Sequence, residues 1–95
     1  MKTTKELQKE DGVLPKKKLL AILINNHNNV KFSDFIVLLN HFGFELRRIN
    51  GSHHIYKNYA IGKSINVQND KGEAKSYQIK QFLQIIEEYE LEVED

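Results

Sequence analysis

The dipeptide Asn50-Gly51 lies between two short runs of strand-forming residues, and it constrains the fold more than any other feature of the chain. Asn-Gly in this setting is the strongest short-range signal for a tight β-hairpin, because both residues tolerate the positive φ that such turns require. The flanking runs cover residues 44–49 and 53–57. The sequence therefore predicts that these two strands are antiparallel neighbours.

A third strand is predicted at residues 64–68, after a second turn that contains Gly62. In this strand Ile65 and Val67 alternate with polar residues, as expected when one face of a strand lies on a hydrophobic core. Residues 69–72 are predicted to form a loop, because they combine Asn, Asp and Gly.

Helical periodicity predicts two helices before the hairpin and one after the third strand. Pro15 opens the first helix, because its fixed φ suits a first helical turn. Ser33 is the predicted N-cap of the second helix, which ends at Gly43, and Ser76 is the predicted N-cap of the third. The order α-α-β-β-β-α predicts an α+β fold, a two-layer sandwich in which helices cover one face of a three-stranded antiparallel sheet. The other face of the sheet is left exposed to water.

The chain has 95 residues, enough for one domain with a modest core. We expect a flexible lead at residues 1–15, a folded domain at 16–91 and an acidic tail at 92–95. The absence of cysteine excludes disulfides and thiol chemistry. No apolar run approaches the roughly 20 residues that span a bilayer, and the polar N-terminus is unlike a secretory signal. A cytoplasmic location with no membrane partner is therefore expected.

Charge is divided unevenly along the chain. All 14 Lys and Arg residues lie within residues 1–80 together with seven acidic residues, whereas residues 81–95 hold six acidic residues and no basic one. A basic body followed by an acidic segment favours a polyanionic partner such as a nucleic acid. Charge separation of this kind also keeps a small domain in solution, so charge alone leaves the partner open.

Two adjacent histidines, His53 and His54, follow the predicted hairpin turn at Gly51 and Ser52. Neighbouring strand residues point to opposite faces of a sheet, so these two side chains cannot bind one metal ion together. Neither a metal site nor a cofactor is expected. One histidine should face the helices and the other solvent, and periodicity alone does not tell which. A histidine on a strand most often has a structural role.

Four basic residues lie in or beside the predicted hairpin and sheet, namely Arg47, Arg48, Lys57 and Lys63. Cations hold phosphates, and an imidazole can move the proton of a ribose 2′-hydroxyl, so this combination suits phosphodiester chemistry on RNA. Lys75 lies at the predicted start of the last helix, where anions are favoured. The structural alternative is that Lys and Arg protect a sheet edge from aggregation.

Tyr56, Tyr59 and Tyr77 are candidate stacking partners for RNA bases. Tyrosines of this kind are more often half-buried members of a core, and we expect that role for Tyr56 and Tyr77.

Five segments of the chain carry a distinctive pattern. They are Phe32-Ser33-Asp34-Phe35, Phe42-Gly43-Phe44, Gly51-Ser52-His53-His54-Ile55-Tyr56, Ile65-Asn66-Val67-Gln68 and Gly72-Glu73-Ala74-Lys75-Ser76-Tyr77-Gln78-Ile79. Together they resemble HicA-type toxins of bacterial toxin–antitoxin pairs, with a similarity that extends over about residues 16–91. Many members of that family carry a proline and a further histidine after the third strand, where this chain reads Val67-Gln68-Asn69-Asp70.

The resemblance implies a fold like that of double-stranded-RNA-binding domains, an mRNA-cleaving activity (an mRNA interferase) and a HicB-like antitoxin as partner. It also implies that the catalytic histidine is the one after Gly-Ser, which is His53, with Gly51 and Ser52 forming the turn that positions it. We therefore expect a metal-independent endoribonuclease toxin that acts on mRNA. The residues expected to bind RNA are Arg47, Arg48, Lys57, Lys63 and Lys75.

Two alternatives stand beside this expectation. The first is a non-catalytic RNA-binding module of the same fold, in which the basic residues matter and His53 does not. The second is a domain whose main role is to bind an antitoxin-like protein.

Overall fold

A computed structural model describes residues 16–92 of the chain. The elements, in chain order, are α1 (Lys16–Asn25), α2 (Phe32–His41), β1 (Phe44–Asn50), β2 (His53–Asn58), β3 (Lys63–Asp70), β4 (Glu73–Ala74) and α3 (Ser76–Glu88).

In the described region the sheet has four antiparallel strands in the order β1-β2-β3-β4. The predicted α+β class is confirmed, but the prediction of three strands is wrong. The additional strand is β4, which pairs with the end of β3 through Asn69 opposite Ala74 and Asp70 opposite Glu73.

The turn that produces this additional hairpin consists of Lys71 and Gly72. Both residues have positive φ, 54° and 88° respectively. Positive φ at both positions is what a type I′ hairpin turn requires, and Asn-Gly is the usual pair there. Lysine rarely adopts positive φ, so the local sequence carries no hairpin signal and predicts a loop instead. The side chain of Asn69 supports the turn, because its Oδ1 accepts a hydrogen bond from the Gly72 amide at 2.7 Å.

The predicted hairpin between β1 and β2 is confirmed, but its two turn residues are Gly51 and Ser52 rather than Asn50 and Gly51, because Asn50 pairs with His53 as the last residue of β1. The pairing between these strands is interrupted once. Leu46 lies opposite Tyr56, but the next pair is Arg48 with Ile55, so Arg47 is an extra residue in a β-bulge. This edge strand therefore bends where its two arginines lie.

The hydrophobic core lies between the helices and one face of the sheet. Phe35 and Phe82 meet at its centre, with ring centroids 5.3 Å apart in an edge-to-face arrangement. Both rings are fully buried. The buried hydrophobic residues are Leu19, Leu23, Val30, Phe32, Phe35, Leu38, Leu39, Phe42, Phe44, Tyr56, Ile65, Val67, Ala74, Ile79, Phe82 and Ile85.

The two predicted serine caps are not observed. The N-cap residues of α2 and α3 are Lys31 and Lys75, and at neither helix start in the described region does the N-cap side chain form a capping hydrogen bond. At α2 a backbone group takes this role, because the Phe32 amide donates to the carbonyl of Gly72 at 2.9 Å. The β3–β4 hairpin thus satisfies the first free amide of α2 through its backbone.

The predicted lead at residues 1–15, including the helix start at Pro15, lies outside the described residues, as does most of the acidic tail predicted at 92–95. Across residues 16–92, none of the helices has both the length and the apolar content that crossing a membrane requires.

Candidate functional site

Strand β2 presents alternate side chains to the two faces of the sheet. Tyr56 and Asn58 are buried against the helices, and the ring of His54 lies on the same side, 5.0 Å from the ring of Phe32. His53 therefore lies on the opposite side with Ile55 and Lys57 of β2 and the exposed Ser64 and Asn66 of β3. We call this surface, which the helices do not cover, the open face. The structure thus decides which histidine faces the helices and which faces solvent.

The imidazole of His53 is held by a neighbouring strand. Its Nδ1 lies 3.2 Å from Oδ1 of Asn66, which is diagonally opposite on β3. An amide oxygen accepts hydrogen bonds, so Nδ1 is the donor in this contact, and in the neutral imidazole Nε2 is then the acceptor nitrogen. The ring therefore presents a proton acceptor on the open face.

The turn before His53 is anchored through its backbone. Gly51, the first turn residue, has φ 62°, which favours glycine at that position of a two-residue hairpin turn. The carbonyl of Ser52 accepts hydrogen bonds from Nδ1 of His54 at 3.2 Å and from the Asn69 amide at 3.0 Å. Gly51 and Ser52 thus fix the backbone on which His53 begins β2.

The bulge in β1 brings both arginines of that strand to the same place. Arg47 and Arg48 line a depression of about 290 Å³ together with Ile55 and Ser64 of the open face. In a regular strand two successive residues would point to opposite faces. No local sequence signal marks the bulge at Arg47, because a bulge depends on the register with the partner strand.

Lys57 and Arg47 meet at a tyrosine beyond the end of β2. The Lys57 Nζ lies 5.0 Å from the centroid of the Tyr59 ring, and the Arg47 Cζ lies 6.0 Å from it. Glu45 is the residue opposite Lys57 on β1, so this end of the open face also carries one carboxylate. Three of the five predicted RNA-binding cations, Arg47, Arg48 and Lys57, are thus brought together.

The other two predicted cations lie apart from this group. Lys63 is opposite Asn58 on the helix side of the sheet, and its Nζ is 5.7 Å from the ring centroid of Tyr89. The Lys75 Nζ forms an ion pair with Oδ2 of Asp70 at 3.0 Å. The charge of Lys75 is therefore partly compensated, whereas Lys63 is directed away from the open face.

The tyrosines differ in burial. Tyr56 is buried as predicted, and burial raises the pKa of its phenol above the usual 10.0. The prediction for Tyr77 is wrong, because this side chain is 62 % exposed at the start of α3. Tyr59 is 57 % exposed.

Metal ligands do not gather in the described region. Within residues 16–92 no group of three or more His, Asp or Glu side chains is arranged to hold a metal ion.

Comparison with known protein families gives a match to the chain. The family profile described as HicA toxin of bacterial toxin–antitoxin matches residues 32–87, more than half of the chain. This range contains α2, the whole sheet and nearly all of α3, whereas α1 precedes it. Neither the search of curated proteins nor the search of solved structures returned a match. The chain therefore belongs to the HicA family, and it is the toxin of a bacterial toxin–antitoxin pair.

Proposed function

We propose that this toxin is an endoribonuclease that cleaves mRNA without a metal ion and uses His53 as its acid–base group. The observation that carries the proposal is the position of His53. Its ring lies on the open face, and its contact with Asn66 leaves Nε2 free as a proton acceptor. His54 is turned to the helix side, with Phe32 against its ring and Ser52 at its Nδ1, so it is not available to the same substrate.

In the proposed reaction Nε2 of His53 removes the proton of a ribose 2′-hydroxyl. The 2′-oxygen attacks the adjacent phosphorus, the bond from phosphorus to the 5′-oxygen breaks, and the imidazolium returns the proton to that oxygen. The products are a 2′,3′-cyclic phosphate and a 5′-hydroxyl. Asn66 keeps the ring oriented throughout the reaction, because its Oδ1 accepts from Nδ1 in both protonation states. DNA is excluded, because it lacks the nucleophilic hydroxyl.

The cations of the open face supply the phosphate contacts in this proposal. Arg47 and Arg48 line one depression, so both guanidinium groups are available to the same stretch of RNA backbone. Lys57 adds a third positive charge on the same face of β2, four residues after His53. Lys63 and Lys75 contribute less to RNA binding, because one lies against Tyr89 and the other is paired with Asp70.

The antitoxin of this pair is, we infer, HicB-like, as the family implies. The edge strand β1 offers apolar groups that such a partner would cover. Leu46 is 46 % exposed and Ile49 is 56 % exposed.

A second candidate is an RNA-binding protein of the same fold that does not cleave. The observation in its favour is the chemistry around His53. The residues opposite it on the two neighbouring strands are Asn50 and Gln68, and neither amide can give or take a proton in general acid–base catalysis. A single histidine must then act as both base and acid, which predicts a slow enzyme.

The deciding experiment incubates a long single-stranded RNA with the protein in excess chelator. The His53→Ala variant is the test, and His54→Gln is the matched control, because it changes the adjacent histidine on the other face of the strand. We expect cleavage by the parent and by His54→Gln, with cyclic phosphate ends, and at least about a hundredfold loss in His53→Ala, the usual size of a general acid–base contribution.

Circular dichroism of each protein verifies that it is folded. Equal cleavage by a folded His53→Ala variant would overturn the role of this histidine. RNA binding without cleavage by the folded parent would favour the non-catalytic candidate.

A further inference from the structure

The ring of Tyr59 is exposed and has two positively charged side chains beside it. Two cations from different strands lie over it in cation–π contacts, Lys57 from β2 and Arg47 from the bulge of β1, at 5.0 Å and 6.0 Å from its centroid. More than half of its side chain is exposed. The ring therefore remains accessible although it is flanked by positive charge.

The turn that carries Tyr59 is held in place by its neighbour. Asn58 is buried, and its Oδ1 accepts hydrogen bonds from the amides of Ala60 at 2.9 Å and Ile61 at 3.3 Å. Its Nδ2 donates to the carbonyl of Phe42 at 2.8 Å, and its own carbonyl accepts from Gly62 at 2.9 Å. This network ties the turn to the end of α2, so the backbone under Tyr59 is preorganised.

We propose that Tyr59, Arg47 and Lys57 form a subsite that holds one nucleotide of a single-stranded RNA, with the base stacked on the Tyr59 ring and its phosphates on the two cations. This inference rests on the proposed function, since it concerns the same RNA substrate. Aromatic rings flanked by Arg or Lys bind single-stranded nucleic acids in this way. Each base has a π-face that can stack on the ring, and each phosphodiester linkage carries a negative charge that the cation attracts.

The subsite lies at a defined distance from the proposed catalytic group. Lys57 is four residues after His53 on the same face of β2, which corresponds to about 13 Å. Tyr59 lies beyond it. The depression at Arg47 and Arg48 borders the path between them. A strand whose scissile bond is at His53 would thus place a nucleotide a few positions away on Tyr59.

Base stacking on an exposed ring requires an unpaired base. In an RNA duplex the faces of the bases are covered by their neighbours, and proteins contact mainly backbone and shape. The subsite therefore selects single-stranded RNA at a position removed from the cleaved bond, although the family resemblance implies a fold like that of domains that bind double strands.

The test uses the His53→Ala protein, which binds RNA without cutting it, and single-stranded oligonucleotides with one 2-aminopurine moved along the sequence. Within this variant we compare Tyr59→Phe, Tyr59→Leu and Tyr77→Leu. Tyr77 is the matched control, since it is as exposed as Tyr59 but lies on α3, where its neighbour Gln78 contacts the opposite end of β3 at Gln68.

We expect Tyr59→Leu to weaken binding about tenfold, because one stacked base is lost. Tyr59→Phe and Tyr77→Leu should bind RNA as tightly as the parent does. The 2-aminopurine signal should change at one position and lose that change in Tyr59→Leu. Unchanged binding in Tyr59→Leu, an equal loss in Tyr59→Phe, or equal competition by duplex RNA would each overturn the subsite.

Failure of the subsite and failure of the proposed function give different results. If the protein with His53 intact cuts RNA but Tyr59→Leu binds normally, the nuclease stands and the subsite does not. If that protein binds but does not cut, and Tyr59→Leu weakens binding, the subsite stands on a non-catalytic RNA-binding protein.

Discussion

At the scale of single residues, the proposed chemistry of His53 depends on its contact with Asn66. Free imidazole exchanges its proton between two nitrogens, and a neighbour that accepts at Nδ1 favours the neutral tautomer in which Nε2 is the acceptor. Asn66 is in place to do this at 3.2 Å. It does not touch the reacting atoms in the proposed reaction, so it is a positioning residue.

Replacing Asn66 with Ala should lower kcat about tenfold while RNA affinity stays close to that of the parent, because orientation of the ring is lost and the cations remain. The imidazole ¹⁵N chemical shifts of His53 should report an Nδ1–H tautomer in the parent and a mixture in Asn66→Ala. A parent protonated on Nε2 would contradict this role, whatever the kinetics.

At the scale of elements, Asn58 joins three parts of the fold through one buried amide. It connects the end of α2, the last position of β2 and the turn that leads to β3. The ideal Cβ position of Gly43 lies 3.2 Å from Asn58 Nδ2, so glycine at the end of α2 also makes room for this side chain. The local sequence does not predict this role, because the partner of the Asn58 Nδ2, the carbonyl of Phe42, comes from a distant part of the chain.

Asn58→Ala should reduce the free energy of unfolding by about 2 to 4 kcal/mol, because it leaves buried backbone groups without partners. The control is Asn69→Ala, which removes an exposed hydrogen bond to Gly72 and should cost about 1 kcal/mol or less. Urea unfolding monitored by circular dichroism measures both. Equal losses in the two variants would mean that burial of the Asn58 amide adds nothing.

At the scale of the whole molecule, stability at high pH is linked to the phenol of Tyr56. Burial raises its pKa above 10.0, so the folded protein holds this proton more tightly than the unfolded chain does. The resulting stabilisation is fully present below pH 10 and is lost as the pH rises through the pKa of the folded protein. The loss is at most about 1.4 kcal/mol per pH unit for one proton.

Tyr56→Phe removes this linkage and keeps the ring. We therefore expect the difference in unfolding free energy between the parent and Tyr56→Phe to stay nearly constant from pH 7 to 9. Above pH 10 the parent should lose stability relative to the variant. Denaturant titrations at a series of pH values give the comparison, in which other tyrosines and lysines cancel. Parallel pH profiles would show that Tyr56 does not titrate differently in the two states.

The sequence by itself determined the α+β class, the β1–β2 hairpin and the apolar faces of the helices, since these depend on local turn chemistry and on periodicity along one segment. The HicA resemblance, which the family match confirms, rests on the same local segments. Only the tertiary structure decided the bulge that aligns Arg47 with Arg48 and the fourth strand after Lys71. Each of these depends on cross-strand register or on a backbone angle that the residue type does not favour. They arise where distant segments pair, and the pattern within one segment does not contain them.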